Sequence, residues 1–225
     1  THYDAVAKLA PNKYAEKSLL LLARYYYFDE KNYSTASGYY TQLKQQASSN
    51  ENRLESMRGL ARCQYYLNDF ANAVANAKEL LQQGGAGSDD KVFANLIIGK
   101  QAKADGNCAE AIAAFKSVAA LSKAEFGAEA RYQIAACYFE MQKLEEAEKA
   151  AFEVVQKAGS YANWVERSYI LLGDIYLKQE DYFNAKATYK SVADNATIPE
   201  LKAEAASKLA KAESMSAAAS KIGGQ

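Results

Sequence analysis

The chain has 225 residues, 49% of them hydrophobic, which is enough to build a sizeable core. Its 27 Lys and Arg residues match its 27 Asp and Glu residues, so no net field draws it to nucleic acid or to an anionic membrane surface. The longest nearly uncharged run, residues 18–28, is interrupted by Arg24 and falls well short of the ~20 apolar residues that span a bilayer.

The chain opens at Thr1 without the basic, apolar and small-residue pattern of a signal peptide. Tyr3 lies 37 residues before Tyr40, and the segment with Tyr3, Val6 and Pro11 reads as the second half of a repeat. Residues 1–13 are therefore expected to be the remnant of a preceding repeat. That fits excision from a longer chain, and a natural maturation point fits as well.

Beyond it, Ala36, Ala73, Ala111, Ala147 and Ala185 stand 37, 38, 36 and 38 residues apart in similar surroundings. A fixed period of this size marks stacked repeats. Each copy carries an apolar set at helical spacing, a polar break and a second apolar set. In the last copy these are Tyr169, Leu172, Gly173 and Tyr176, then Tyr182, Ala185, Tyr189 and Val192. The spacing predicts two amphipathic helices per copy, with small residues such as Gly173 and Ala185 where helices approach most closely.

The breaks Lys31-Asn32-Tyr33, Asn68-Asp69-Phe70, Gly106-Asn107-Cys108, Gln142-Lys143-Leu144 and Glu180-Asp181-Tyr182 hold the same place in every copy. Four of them offer an Asn or Asp to cap the second helix, and the residue after each is expected to re-enter the core. Arg24, Gln64, Asn95 and Arg131 fall where the pattern wants apolar or small residues, so the first and fourth copies are expected to be locally shifted. The stretch Gly84-Gly85-Ala86-Gly87-Ser88-Asp89-Asp90 reads as a flexible connector, because it lacks the Gly-Lys-Ser/Thr of a phosphate loop. Pro199 opens a helix to about Ser220 with Leu201, Ala205, Leu209 and Ala212 on one side, a capping helix, before a frayed 223–225 end. The organisation is thus 1–13, five repeats over 14–197, and a cap and tail over 198–225.

No catalytic set emerges. The single histidine, His2, leaves no Ser/His/Asp or Cys/His constellation, and Glu145, Glu146 and Glu148 lie among lysines on a solvated face. Cys63, Cys108 and Cys137 are too few for a disulfide framework, and no C-x-x-C pair suggests zinc, so all three are read as small buried thiols. Cofactor and metal are expected to be absent. The cysteines lean toward a reducing compartment.

The series Tyr169-x2-Leu172-Gly173-x2-Tyr176, Ala185-x3-Tyr189 and Pro199 resembles the tetratricopeptide repeat. Partial matches recur at Leu20, Tyr27, Ala36 and Tyr40, at Leu60, Ala61 and Ala73, at Ile98, Gly99, Ala111 and Phe115, and at Ile134, Ala135, Tyr138 and Ala147. The resemblance implies an all-α, right-handed α-solenoid of antiparallel helix pairs and a non-enzymatic scaffold that binds protein. It also implies that first helices line a concave groove. The alignment puts Tyr25, Phe28, Arg58, Arg62, Tyr65, Leu96, Lys100, Lys103, Tyr132, Phe139 and Asp174 on that face, with Ala136, Ile170 and Leu177 beside them. Its basic and aromatic middle suits a peptide or protein segment with acidic residues. The chaperone-tail clamp of some family members is not matched, since its places hold Arg58, Arg62, Ile97, Glu129 and Gln133. Two other readings stay open: a docking region of a larger enzyme, and a module that self-associates into a homo-oligomer. The stretch from Trp164 to Tyr176 is similar to the final repeat of large envelope proteins of this family, which tilts the expected setting toward a bacterial periplasm, with the cytoplasm as the alternative.

Overall fold

The computed structural model describes residues 5–6 and 13–222. The rest of the expected 1–13 remnant, Tyr3 and Pro11 included, lies outside the described residues, as does the 223–225 end. Among the described residues the chain is all-α, with eleven helices and no strand: α1 (Lys13–Phe28), α2 (Tyr33–Gln46), α3 (Asn50–Tyr66), α4 (Phe70–Gln82), α5 (Ser88–Ala104), α6 (Cys108–Leu121), α7 (Glu125–Glu140), α8 (Leu144–Lys157), α9 (Ala162–Lys178), α10 (Tyr182–Asn195) and α11 (Pro199–Ile222). They fall into two compact units, Thr1–Asp105 and Gly106–Gln225. In the first, each helix packs on the next, α1 also touches α3, and α3 touches α5. In the second, α6 to α11 pack in sequence, and α9 also touches α7 and α11.

One turn recurs five times, once after each first helix. The residue before each second-helix cap is left-handed: Lys31 at φ 51°, Asn68 at 60°, Gly106 at 76°, Gln142 at 58° and Glu180 at 61°. In four of them the next N–H reaches back to a carbonyl near the end of the first helix: Asn32 to Tyr26 (2.8 Å), Asp69 to Gln64 (2.9 Å), Lys143 to Tyr138 (2.9 Å) and Asp181 to Tyr176 (2.9 Å). This is the usual way a helix end satisfies its last carbonyls. The predicted caps form: Asn32, Asp69, Asn107 and Asp181 accept from the N–H of Thr35, Asn72, Glu110 and Asn184. Only one of the five left-handed positions is glycine. Gln142→Gly is expected to raise stability by about 0.5–1 kcal/mol, because relief of ~1–2 kcal/mol of left-handed strain outweighs the ~0.5–1 kcal/mol entropic cost of glycine. A higher urea midpoint at unchanged slope is the check.

The turns also correct two expectations. All five copies keep one register, so Arg24 and Arg131 shift nothing. Arg24 pairs with Glu55 at 2.9 Å, and Arg131 donates to the Gly127 (2.9 Å) and Ala119 (2.6 Å) carbonyls, satisfying the end of α6. Phe70, expected in the core, is instead exposed, while Tyr33, Leu144 and Tyr182 are half-buried and Cys108 is buried.

Residue size is matched at the packed faces. Tyr40 on α2 is buried with its ring over Gly59 of α3, and Tyr189 on α10 is buried with its ring over Gly173 of α9; a Cβ on either glycine would clash with the ring carbons, well inside van der Waals contact. Ala151, at the Tyr40 register of the fourth copy, is a fully buried alanine and clusters with Leu171 and Leu172 of α9.

Carboxylates tie successive pairs together. Glu16 of α1 accepts from the Ser48 N–H (3.1 Å) and the Asn52 side chain (2.7 Å) where α3 begins. Glu166 of α9 accepts from the Thr197 N–H and hydroxyl (both 2.7 Å) and the Ile198 N–H (3.2 Å) ahead of α11. Burial alone would raise both carboxyl pKa values, but these donors more than offset it and hold them below the usual range.

The expected connector is held as well. Ser88–Asp90 form the first turn of α5, the Gly84 carbonyl accepts from Asn50 at 2.9 Å, and Asp90 pairs with Arg58. In α11, Leu201, Ala205 and Ala212 are buried, Leu209 packs beside them, and Lys208 bonds both Asp174 oxygens at 2.6 Å.

Candidate protein-binding face

The first unit carries a continuous run of aromatic rings. Phe28 meets Tyr27 at 4.7 Å between centroids, Tyr27 meets Tyr33 at 5.5 Å, and Tyr33 stacks on Tyr66 at 4.6 Å. Tyr66 then touches Tyr65 (5.8 Å), which touches Phe70 (5.9 Å) and Phe93 (6.1 Å). The repeat itself produces this run, since α1 and α3 end side by side and their terminal tyrosines meet the aromatic residues that open α2 and α4. Tyr27 sits deep in it, and burial, with Tyr66 nearby, pushes its pKa up to about 12. The outer members are open: Phe28 is 59% exposed and Tyr66 50%, with Tyr25, Leu67 and Phe70 also exposed. Tyr25 donates to Glu30, and that bond raises its pKa.

Cations are mounted on the inner rings. The Arg62 guanidinium lies 5.2 Å from the Phe93 centroid, and the Lys100 ammonium lies 5.7 Å from that of Tyr65 while bonding its hydroxyl at 3.2 Å. Arg58 serves differently. It binds Glu55 and both oxygens of Asp90, which is only 4% exposed. The Asp90 hydrogen bond raises the Arg58 pKa, and burial, which alone would raise that of Asp90, is outweighed by Arg58 and the Gly87 N–H. Arg58 is thus a structural cation, not one presented to a partner. Leu96 is corrected too: at 3% exposure it is a core residue, because α5 turns that side inward. Lys103 is half-buried.

The members expected in the second unit are occupied within it. Tyr132 is half-buried against Trp164 at 5.6 Å, and burial raises its pKa. Phe139 packs on the α7–α9 core, and Ala136 and Ile170 are buried. Asp174 accepts from Tyr189 (2.6 Å) and Lys208, anchoring the cap. A cavity among α6, α7 and α8 is lined by Lys116, Arg131, Glu146, Lys149, Glu153 and Lys157, among others. Its lining is net cationic, four basic side chains against two carboxylates, and Glu153 lies 2.7 Å from Lys157 and 3.9 Å from Arg131.

Of the residues the sequence placed on a binding face, Phe28 and Tyr65 lie in this ring run, Arg62 and Lys100 sit over its rings and Tyr25 is exposed, while Tyr66, Phe70 and Phe93 join the run without having been placed on that face. The signal for the first two was an aromatic on each side of the polar break, of which only Phe70 was read, and that as core. No helix of the described residues is long and apolar enough to cross a membrane.

Residues 167–196, which make up most of α9 and α10, match the family model described as tetratricopeptide repeat. Among solved structures the chain is similar to residues 41-end of MamA from Desulfovibrio magneticus RS-1 (16% identity, 82% of this chain and 96% of that one, TM-score 0.64). It is similar to YrrB, described as a TPR protein with an unusual peptide-binding site (15% identity, 84% and 91%, TM-score 0.65). It also resembles apo RapI (15% identity, TM-score 0.69), covering 90% of this chain but 62% of that one. No curated protein matches the sequence.

Proposed function

We propose that the chain is a tetratricopeptide-repeat protein, a reading supported by the match of residues 167–196 and by the fold of its helix pairs, and that it is a non-enzymatic interaction scaffold whose first unit holds a protein segment. The segment combines acidic with aromatic or aliphatic residues. The observation that carries this reading is the placing of Arg62 over Phe93 and Lys100 over Tyr65 beside the open rings of Phe28, Tyr66 and Phe70. Arginine and aromatic side chains dominate binding hot spots, and a cation held over a ring costs little further ordering when a carboxylate arrives. The likeness to YrrB, a protein with a peptide-binding site, supports the same reading.

The test is selection from a displayed random-peptide library, followed by affinity measurement on the enriched peptides. Enrichment of acidic, aromatic-containing sequences is expected. Changing Arg62 and Lys100 together to Ala is expected to weaken them by about tenfold or more, or ~1.4 kcal/mol. Lys157→Ala, in the second unit, is the unchanged control, and circular dichroism confirms that the variants fold. Arg58 is left alone because its loss would disturb α5. Absence of enrichment, or equal loss in the control, refutes the assignment.

A further inference from the structure

Three donor side chains far apart in sequence converge in the second unit. Cys108 is the first residue of α6, while Cys137 and Glu140 lie three apart in the last turn of α7 and so share a face. Antiparallel packing of the two helices brings the start of one beside the end of the other. The two Sγ atoms and a Glu140 carboxylate oxygen all lie within 4.8 Å of one another, and Cys108 Sγ donates to Glu140 Oε2 at 3.3 Å. No motif announces this group, because its ligands come from different repeats.

The chemistry of the set is specific. Zinc with Zn–S bonds of ~2.3 Å spaces tetrahedral donors about 3.8 Å apart, so small rotamer adjustments close the present arrangement around an ion. Two thiolates and a carboxylate favour a thiophilic divalent cation over magnesium or calcium. The start of α6 supplies the positive end of a helix dipole to the Cys108 thiolate, and the carbonyls ending α7 favour a cation beside them. Cys137 is 0% exposed and Cys108 8%, whereas Glu140 is exposed. The sulfurs are thereby shielded, and the carboxylate side stays open for entry and for a water as fourth ligand. Cys63 gives the contrast: it is buried outside this group, and burial pushes its thiol up to about 12.

We propose that Cys108, Cys137 and Glu140 form a zinc-binding site that clips the start of α6 to the end of α7. The test uses the full chain, kept reduced and titrated with Cd(II) as a spectroscopic probe and then with Zn(II). A thiolate-to-cadmium charge-transfer band saturating at one ion per chain is expected, displaced by zinc. The band should survive Cys63→Ala, be lost in Cys108→Ala and Cys137→Ala, and require at least about tenfold more metal in Glu140→Gln. Zinc should raise the melting temperature of the unaltered chain and not that of Cys108→Ala. Should Cys137→Ala unfold, Cys108→Ala and the exposed Glu140→Gln still decide. Absence of the band, its persistence in Cys108→Ala, or indifference to Glu140→Gln overturns the proposal.

Discussion

Gly173→Ala is expected to destabilise the second unit by about 1–3 kcal/mol, although it adds a single methyl and raises helix propensity. Alanine in place of a helical glycine would ordinarily gain up to ~1 kcal/mol, so the expected sign is opposite to the propensity rule. The reason is Tyr189: a Cβ at residue 173 would clash with the face of its ring, well inside van der Waals contact. That ring cannot swing away cheaply. It is fully buried, and its hydroxyl is bound at 2.6 Å to Asp174, which also holds Lys208 of the cap. Burial, with the Asp174 bond, raises the Tyr189 pKa, so the hydroxyl stays a donor across the physiological range. Movement of the ring would therefore loosen α11 as well. Thermal unfolding measures the loss, and hydrogen exchange in α11 should rise with it. Tyr189→Leu in the same chain should recover part of the stability, whereas a neutral or stabilised Gly173→Ala would show that α9 and α10 do not approach as described.

Arg58→Met is expected to cost about 2–3 kcal/mol at neutral pH, the upper part of what a charged hydrogen bond is worth. A fully buried broken pair would cost more, but Arg58 is 28% exposed and Asp90 keeps the Gly87 N–H at 3.2 Å. The pH dependence distinguishes this loss from simple loss of packing. In the unaltered chain the Asp90 carboxyl titrates below its unfolded value, so its stabilisation is complete above about pH 4 and disappears as pH falls through the lower folded value. Without Arg58, burial dominates and the folded carboxyl titrates above its unfolded value. The deficit of Arg58→Met should then be largest near neutrality and shrink as acid protonates Asp90. Urea unfolding at pH 7 and pH 3.5 reads this directly, and a deficit equal at both values would rule out the ion pair as its source.

How far the sequence revealed the molecule depended on whether a feature repeats. The helix pairs and the Asn and Asp caps were legible because similar residue types recur at one spacing, and local chemistry determines them. The left-handed residue before each cap was not, since Lys31, Gln142 and Glu180 advertise no preference for positive φ. At the candidate binding face, register alone placed residues on the first helices without telling which side turns inward. Hence Leu96 was assigned to the surface and Phe93 overlooked. Arg58 was taken for a presented charge because its partner, Asp90, belongs to the next pair and sits in what reads as a flexible glycine-rich stretch. Contacts between pairs, such as Glu16 with the start of α3 or Cys108 with Cys137, are written at two distant places and were invisible one repeat at a time.

The matching of residue size between successive pairs gives the array a fixed order. The ring of Tyr40 is accepted only because glycine stands at 59, and the alanine at 151 is answered by the bulk of Leu171. A junction of the first kind joined to a partner of the second would collide, and the converse would leave a hollow. Although the copies share one outline, these two seams are not interchangeable, so a second helix of one cannot be set against the first helix of the other without redesigning the junction.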